Sequence, residues 1–309
     1  MNTCSEFQGR NRGFAMLSVL WAVVVVGTLV VTTALAGRDA FDAGRNRVSA
    51  ARAFWRANDC AERVRLAIDD VLSTSGQLPA RTWRNLDAIV PSQPLATGTD
   101  CSTHLEAAGT RLDVNAASTD ELLRLFAAVG RLDGVSVTDA IDDWRDPDQV
   151  PRANGAESVW YVSQGKMLPR DGVVADDLEL SRIRGLEDGS AQRVLTVETG
   201  AVSIANALPP VLMAIHGFTD EAVAELMAAR ARGDQIEDLL AFAAGLSSAA
   251  RDSIVSNYQE ISRRTTLDPE AWVVTSSGWS GHPAVTATVE LRLVRTNQRA
   301  VIVRRRVRT

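Results

Sequence analysis

The longest uninterrupted run of apolar residues in this chain lies near the amino terminus. Residues 14–36 (FAMLSVLWAVVVVGTLVVTTALA) contain no charged side chain. As a helix, this run would measure about 34 Å at roughly 1.5 Å per residue, enough to cross a hydrocarbon core of about 30 Å. Because it has no polar face, it is not typical of a core helix in a soluble domain. The pattern predicts a transmembrane helix, with Arg10 and Arg12 keeping residues 1–13 in the cytoplasm and the rest of the chain outside.

The helical pattern continues to about residue 72. Apolar residues recur at intervals of mostly three, four or seven, and charged residues fill the other face, so we expect the apolar face to pack against a sheet. These residues are Phe41, Val48, Ala51, Trp55, Val64, Ile68 and Val71. For residues 77–109 we predict loops and short strands, because prolines and glycines interrupt any longer element.

The middle of the chain contains an internal repeat. Residues 113–123 (DVNAASTDELL) resemble residues 203–213 (SIANALPPVLM), and each copy is followed by a glycine, Gly130 or Gly217, and a second helical pattern. Ser118 is a good helix N-cap for the first copy. Helix–turn–helix units of this kind resemble the helix-hairpin-helix and SAM-like families. We therefore predict a helical region between the first helix and the end of the chain.

The last forty residues change to a period of two. Val289, Leu291 and Leu293 alternate with polar neighbours, which is typical of a half-buried antiparallel strand. Residues 272–276 and 300–307 also have strand composition. With a helix first, strands last and helices between, the fold class is predicted to be α+β.

Composition and charge exclude several classes. The 309 residues fit two or three domains, and 46% hydrophobic with 23% charged residues is ordinary for a globular protein and not for a disordered or polytopic membrane protein. The three histidines are scattered, and no nucleophile, Walker or dinucleotide pattern occurs. We therefore expect no enzymatic activity.

Charge also bears on nucleic-acid binding, which helix-hairpin-helix units can perform. Residues 112–200 carry nine Lys and Arg against seventeen Asp and Glu, a net charge of −8. A surface of this sign repels phosphate. We predict that the hairpins are packing units and that the chain binds no nucleic acid.

The residues before the apolar run resemble the prepilin leader of type IV pilins and pseudopilins. The sequence Arg12-Gly13-Phe14 supplies a basic residue, a glycine and the phenylalanine that opens the apolar helix. The resemblance implies cleavage by prepilin peptidase after Gly13 and N-methylation of Phe14. The alternative is a signal peptide cleaved after Ala34-Leu35-Ala36, although the apolar run is long for one. Most members of these families carry a glutamate at the fifth mature position, where this chain has Ser18.

Cysteine usage agrees with export. Cys4 lies in the leader, which leaves Cys60 and Cys101 as a pair. An even pair outside the cytoplasm is typically bridged, so we predict a disulfide between them. The alternative is two reduced, buried thiols.

Four motifs together resemble the type II secretion system protein K family, whose members are minor pseudopilins. They are RGFAMLSVLW, LDVNAAS, DDWRDPDQVPRANGAE and ELSRIRGL. The resemblance implies a pseudopilin α/β domain with an antiparallel sheet, split by a large all-α insertion that holds both SAM-like repeats. The implied division is a leader at 1–13, a transmembrane helix at 14–36, the first part of the pseudopilin domain at 37–109, repeats at 110–200 and 201–265, and terminal strands at 266–309.

The same resemblance implies the function and the partners. The chain would be a single-pass protein of the bacterial inner membrane with its body in the periplasm, supporting protein secretion from the tip of the pseudopilus and limiting fibre growth. Its partners would be other minor pseudopilins, the major pseudopilin, prepilin peptidase and the inner-membrane platform of the secretion system. The rival hypothesis is a membrane-anchored periplasmic DNA-binding or DNA-uptake protein.

An acidic segment between the repeats is a candidate calcium loop. Asp146, Asp148, Asn154 and Glu157 lie within twelve residues, and prolines and a glycine among them favour a compact loop. Carboxylate and amide oxygens in an irregular loop suit Ca²⁺. Protein K binds calcium in its helical domain, so the resemblance supports a structural calcium ion here. The alternative is a solvated loop in which Asp146 caps a helix or pairs with a neighbouring arginine.

Overall fold

The computed structural model describes residues 10–74, 76, 79–90 and 100–308, with side chains in the first helix from residue 16 onward. The helices are α1 (Arg10–Thr74), α2 (Pro79–Arg84), α3 (Leu86–Ile89), α4 (Thr119–Ala128), α5 (Gly134–Arg145), α6 (Ser158–Ser163), α7 (Pro209–Ala214), α8 (Asp220–Arg232), α9 (Leu239–Ala244), α10 (Ser248–Ser256) and α11 (Tyr258–Arg264). The strands are β1 (Cys101–Ala107), β2 (Leu112–Asp113), β3 (Leu195–Thr196), β4 (Val202–Ser203), β5 (Thr265–Thr266), β6 (Trp272–Ser280), β7 (Val285–Thr296) and β8 (Arg299–Arg308).

Helix α1 is continuous from the apolar run into the body of the protein. Its 65 residues span about 97 Å at roughly 1.5 Å per residue. The portion from Met16 contains an 18-residue window with a mean hydropathy of 2.4, so by length and composition it can cross a membrane. Residues 16–48 are exposed, whereas Ser49 and the last third of the helix contact the rest of the protein.

A four-stranded antiparallel sheet packs against that last third of α1. The strand order is β1-β6-β7-β8, so the strand before the helical insertion pairs with the first strand after it. Val289, Leu291 and Leu293 on β7 are fully buried, as their alternation predicts, and they share a core with Val64 and Ile68 of α1. The predicted antiparallel strands are confirmed.

The buried face of α1 differs from the prediction. Phe41, Val48 and Trp55 were expected to pack against the sheet, but they are exposed, Trp55 to 65%. Small residues form the contact instead: a Cβ at Gly278 of β6 would lie 2.4 Å from the carbonyl oxygen of Ala53. The helix and the sheet approach so closely that only alanine and glycine fit between them there, and the larger apolar residues point away.

The segment after α1 differs in part from the prediction of loops and short strands, since β1 is a short strand as predicted but helices precede it. Residues 79–89 form α2 and α3, because Trp83 and Leu86 are buried in the core of α1 and the sheet. The indole Nε1 of Trp83 donates to the carbonyl of Pro269 at 2.7 Å. Pro79 opens α2, a position that proline favours, and so marks a helix start.

The insertion between β1 and β6 contains both repeats in one continuous core. Helices α4 and α5 form the first repeat and α7 and α8 the second, and α4 packs against α7. The turns use Gly130 and Gly217 at φ +75° and +103°, where a side chain would be strained. Ser118 caps α4 and forms a reciprocal capping box with Glu121. The predicted helical repeats are therefore present, but the insertion is not all-α, because it also contains the short paired strands β2–β3 and β4–β5.

Candidate metal centre

The acidic segment lies between the end of α5 and the start of α6. Arg145 at the end of α5 donates hydrogen bonds to the carbonyls of Val114 and Ala117 and pairs with Asp142. These bonds fix the end of α5 against the turn that precedes α4. The chain then forms an irregular loop and returns to start α6 at Ser158.

Three carboxylates converge where this loop meets α5. One oxygen each from Asp143, Asp146 and Glu157 lies within 4.8 Å of the other two. Asp143 is 0% exposed and Glu157 is 3% exposed. Gly155 permits this approach, because a Cβ at that position would lie 1.9 Å from Oδ2 of Asp143.

Several buried carboxylate oxygens of this region lack a hydrogen-bond partner among the described residues. They are both carboxylate oxygens of Glu157, Oδ1 of Asp146 and Oδ1 of Asp171. Asp171 adopts a left-handed backbone conformation with φ +53°, uncommon for a residue with a side chain. Burying an unpaired carboxylate is costly, so these oxygens require either a proton or a cation.

Burial and mutual repulsion favour the protonated forms. Burial, followed by the charges of Asp143 and Asp146, raises the pKa of Glu157 from 4.5 to about 7. The charge of Asp171 adds to this effect. Burial is likewise the first cause of the raised pKa values of Asp143 and Asp146.

The donor set fits a hard divalent cation. Ca²⁺ takes about 6–8 oxygen ligands in flexible geometry. Asp143, Asp146 and Glu157 would hold the ion, and Asp171, whose charge acts on Glu157, has a further unpaired oxygen. The basic group nearest to Asp143, Arg152 Nε, lies 3.7 Å from its Oδ1 and offsets only part of the negative charge. A bound divalent ion would offset most of the negative charge of the three carboxylates and join α5 to α6.

Comparison with known proteins supports the family resemblance. Residues 85–197 match the family model described as type II secretion system (T2SS), protein K. This range contains β1, the first repeat and the carboxylate cluster. The resemblance to the protein K family is confirmed.

The fold is similar to a solved protein from such a system. A chain in the crystal structure of the GspK–GspI–GspJ complex from the enterotoxigenic Escherichia coli type 2 secretion system matches with a TM-score of 0.56 and 14% sequence identity. The match covers 88% of this chain and 99% of that chain. At this identity the likeness shows a shared fold, which confirms the α+β class with a long amino-terminal helix. No curated protein matches the sequence.

The structure brings together two of the four candidate calcium ligands in the segment that resembles protein K. Asp146 and Glu157 belong to the cluster, whereas Oδ1 of exposed Asp148 accepts from the backbone of Val150 at 2.8 Å. Asn154 also lies elsewhere: its backbone N–H donates to Oδ2 of Asp139 at 3.1 Å. Asp148 is still close enough to raise the pKa of Glu157.

Sequence reasoning missed Asp143 and Asp171. Asp143 lies inside the helical pattern of α5, where an acidic residue is usually solvated, and Asp171 lies fourteen residues beyond Glu157. The alternative of an Asp146–arginine pair does not occur in the described part of the chain, where Arg145 and Arg152 pair with Asp142 and Asp143.

The remaining candidate residues lie far from the cluster in the sequence. Cys60 of α1 and Cys101 of β1 form a disulfide in the structure. Gly13 and Phe14 lie within the range of α1, but apart from their helical backbone they fall outside the part of the chain that the structure describes.

Replacing Gly155 by alanine is expected to damage the carboxylate cluster selectively. The new methyl group would displace the carboxylate of Asp143, and we expect calcium affinity to fall at least tenfold while the fold is retained. Isothermal titration calorimetry with CaCl₂ measures the affinity. The matched control is Gly172→Ala, since a Cβ at residue 172 has no heavy atom nearer than 4.0 Å. Equal affinity in both variants would exclude Asp143 as a ligand.

Proposed function

We propose that this chain is a minor pseudopilin at the tip of a type II secretion pseudopilus, where it supports protein export and limits fibre growth. The observation that carries this proposal is the match of residues 85–197 to protein K, in a chain whose α1 is long and apolar enough to span a membrane. The helix anchors the protein in the bacterial inner membrane, and the body lies in the periplasm. Prepilin peptidase would cleave the leader from the helix, and the inner-membrane platform of the secretion system would be a further partner.

The exposed side of α1 offers a surface for other pseudopilins. Phe41, Val48, Trp55 and Leu66 are exposed and spaced by seven, seven and eleven residues, which aligns them along one face. We call this row the exposed stripe. It lies opposite the face that packs on the sheet. A related structure holds GspK together with GspI and GspJ, and we propose that other minor pseudopilins pack against the exposed stripe of this chain.

Two features support a position at the tip. The insertion between β1 and β6 comprises about half of the chain and would hinder repeated stacking of this subunit in a thin fibre. Ser18 stands where most pseudopilins have a glutamate, and that glutamate pairs with the amino terminus of the subunit above. A buried carboxylate is costly without its partner. A subunit with no other subunit above it therefore does not need this glutamate.

We also propose that the carboxylate cluster holds a structural calcium ion. The unpaired, buried oxygens of Glu157, Asp146 and Asp171 support this proposal. The ion would fix the loop between α5 and α6 and so stiffen the insertion.

The geometry of the second hairpin does not favour the rival DNA-binding hypothesis. The turn at Gly217 is buried, and a Cβ there would lie 2.8 Å from side-chain atoms of both Asn257 and Ile261. Backbone amides covered in this way are poorly placed to bind phosphate. The turn of the first hairpin, at Gly130, is exposed, and there the acidic charge of the repeat opposes phosphate binding.

Quantitative labelling of purified fibres tests the tip position. We expect about one copy of this chain per fibre, at one end. Trp55→Asp is expected to lower incorporation severalfold, because it places a charge on the exposed stripe. Val159→Asp is the control, since Val159 is 84% exposed on the insertion. Copies spread along the shaft in numbers like those of the major subunit would contradict the proposal.

Mass spectrometry of the mature chain tests its processing. We expect an amino-terminal, N-methylated Phe14, because the glycine that precedes it matches the prepilin cleavage position. Gly13→Ile is expected to block cleavage and leave the full-length precursor. A mature chain that begins at Gly37 would instead support a signal peptide, and the protein would then have no membrane anchor.

A further inference from the structure

The two repeats differ in how they neutralise a structurally equivalent arginine. In the first repeat, Arg145 near the end of the second helix binds the carbonyls of Val114 and Ala117. Three residues earlier, Asp142 supplies a carboxylate that pairs with the Nη2 group of Arg145. Asp142 is almost fully buried. The charge of Arg145 is therefore balanced from within its own helix.

In the second repeat, Arg230 occupies the same place. It donates to the carbonyls of Ile204 and Ala207, which correspond to Val114 and Ala117 in the repeated segment. The residue three positions earlier is Met227, whose Sδ lies 3.6 Å from Nη1 of Arg230. Methionine supplies no negative charge, so the internal partner of the first repeat is missing here.

The charge of Arg230 is consequently balanced less closely than that of Arg145. Among the described residues, the Nε of Arg230 is buried without a hydrogen-bond partner, and its two Nη groups donate to backbone carbonyls. Burial lowers the pKa of Arg230 to about 10, and the charge of Asp87 opposes this effect. A buried guanidinium of this kind is stabilised by an anion in hydrogen-bond contact.

A cleft of about 320 Å³ lies beside Arg230. Its walls come from α8, the turn before α7 and the α2–α3 segment, and they include the polar side chains of Asn85, Asn206 and Gln235. Arg84 also lines the cleft, but its Nε already pairs with Asp268 at 2.6 Å. The cleft thus combines an open volume, neutral hydrogen-bonding groups and a cation, Arg230, whose hydrogen bonds to oxygen go to backbone carbonyls.

We propose that this cleft binds a carboxylate, which contacts Arg230 as Asp142 contacts Arg145. The first repeat shows which chemical group this arginine geometry accepts. Asp87 and Asp234 also line the cleft, so a singly charged anion fits its charge better than a phosphate dianion does. The carboxylate can come from a glutamate or aspartate of a partner polypeptide or from a free organic acid.

The test uses the full chain in detergent and follows thermal unfolding at constant ionic strength. Two probes distinguish the sources: sodium acetate, and the tripeptide Ala-Glu-Ala with blocked ends. For the wild type, we expect the melting temperature to rise saturably with either probe when it replaces chloride. At least tenfold tighter binding of the tripeptide would identify a polypeptide as the source, and equal or tighter binding of acetate would identify a free acid.

Met227→Asp is the decisive variant. It places a carboxylate three residues before Arg230, as in the first repeat, while Arg230 keeps its bonds to the backbone. We expect a higher melting temperature without probe and at least a tenfold loss of probe affinity. Met227→Asn is the neutral control and should respond like the wild type. The proposal is wrong if the wild type responds to neither probe, or if Met227→Asp binds them as the wild type does.

Discussion

Calcium is expected to raise the free energy of unfolding of this protein by about 2.7 kcal/mol at a concentration 100-fold above its dissociation constant. The physical reason is that buried carboxylate oxygens of Glu157 and Asp146 have no partner among the described residues. An ion bound to the folded state removes their repulsion, whereas the unfolded chain has no such site. Urea unfolding of the full chain in detergent, with and without CaCl₂, measures the effect.

The same cluster predicts a pH dependence of the calcium-free protein. Because the pKa of Glu157 is raised from 4.5 to about 7 in the folded state, the folded state binds more protons than the unfolded state between these values. Stability without calcium is therefore expected to fall as the pH rises through this window. Saturating calcium should remove much of this fall.

Glu157→Gln separates the two contributions. Glutamine has nearly the same shape but no charge, so we expect the calcium-free variant to be more stable than the wild type at pH 8 and to lose most of its response to calcium. Asp139→Asn is the matched control, because Asp139 bonds to Asn154 outside the cluster. An unchanged calcium response in Glu157→Gln would remove Glu157 from the site.

Loss of the disulfide is expected to cost roughly 3–4 kcal/mol of stability, the value for closing a loop of about 40 residues. Cys60 and Cys101 are separated by 41 positions and connect α1 to β1. The double variant Cys60→Ser/Cys101→Ser should unfold at a lower urea concentration, and its unfolding transition should remain cooperative. Chemical denaturation under oxidising conditions measures the difference.

A reduced wild-type sample serves as the control for these serine substitutions, and it should be destabilised by about the same amount. Alkylation of both thiols in denatured, unreduced protein would show that the bond does not form. Equal stability of the oxidised wild type and the double variant would show that the bond does not constrain the unfolded chain.

The elements with strong periodicity could be predicted from the sequence. The alternation of Val289, Leu291 and Leu293 identified a core strand, since these side chains share one face and a one-residue shift of register would expose all three. The repeat and its glycine turns identified the helical insertion. Local signals sufficed in these cases because each element buries one regularly spaced face.

The features that depend on distant contacts could not be predicted. Phe41 and Trp55 follow a helical spacing, but the sheet contacts the opposite face, where Ala53 meets Gly278. Likewise, the carboxylate cluster includes Asp143, which the helical pattern of α5 makes look like a surface residue. Periodicity shows which residues share a face, but not which other element covers that face.

The continuous helix α1 has a mechanical consequence. A force that pulls this helix along its axis, as withdrawal from a bilayer would require, acts in shear on the contact between residues 53–72 and the sheet. The covalent bond between Cys60 and Cys101 lies within that contact and ends on the strand that leads into the insertion. Displacement of the helix is therefore transmitted through a covalent bond to β1, and so to the start of the helical insertion.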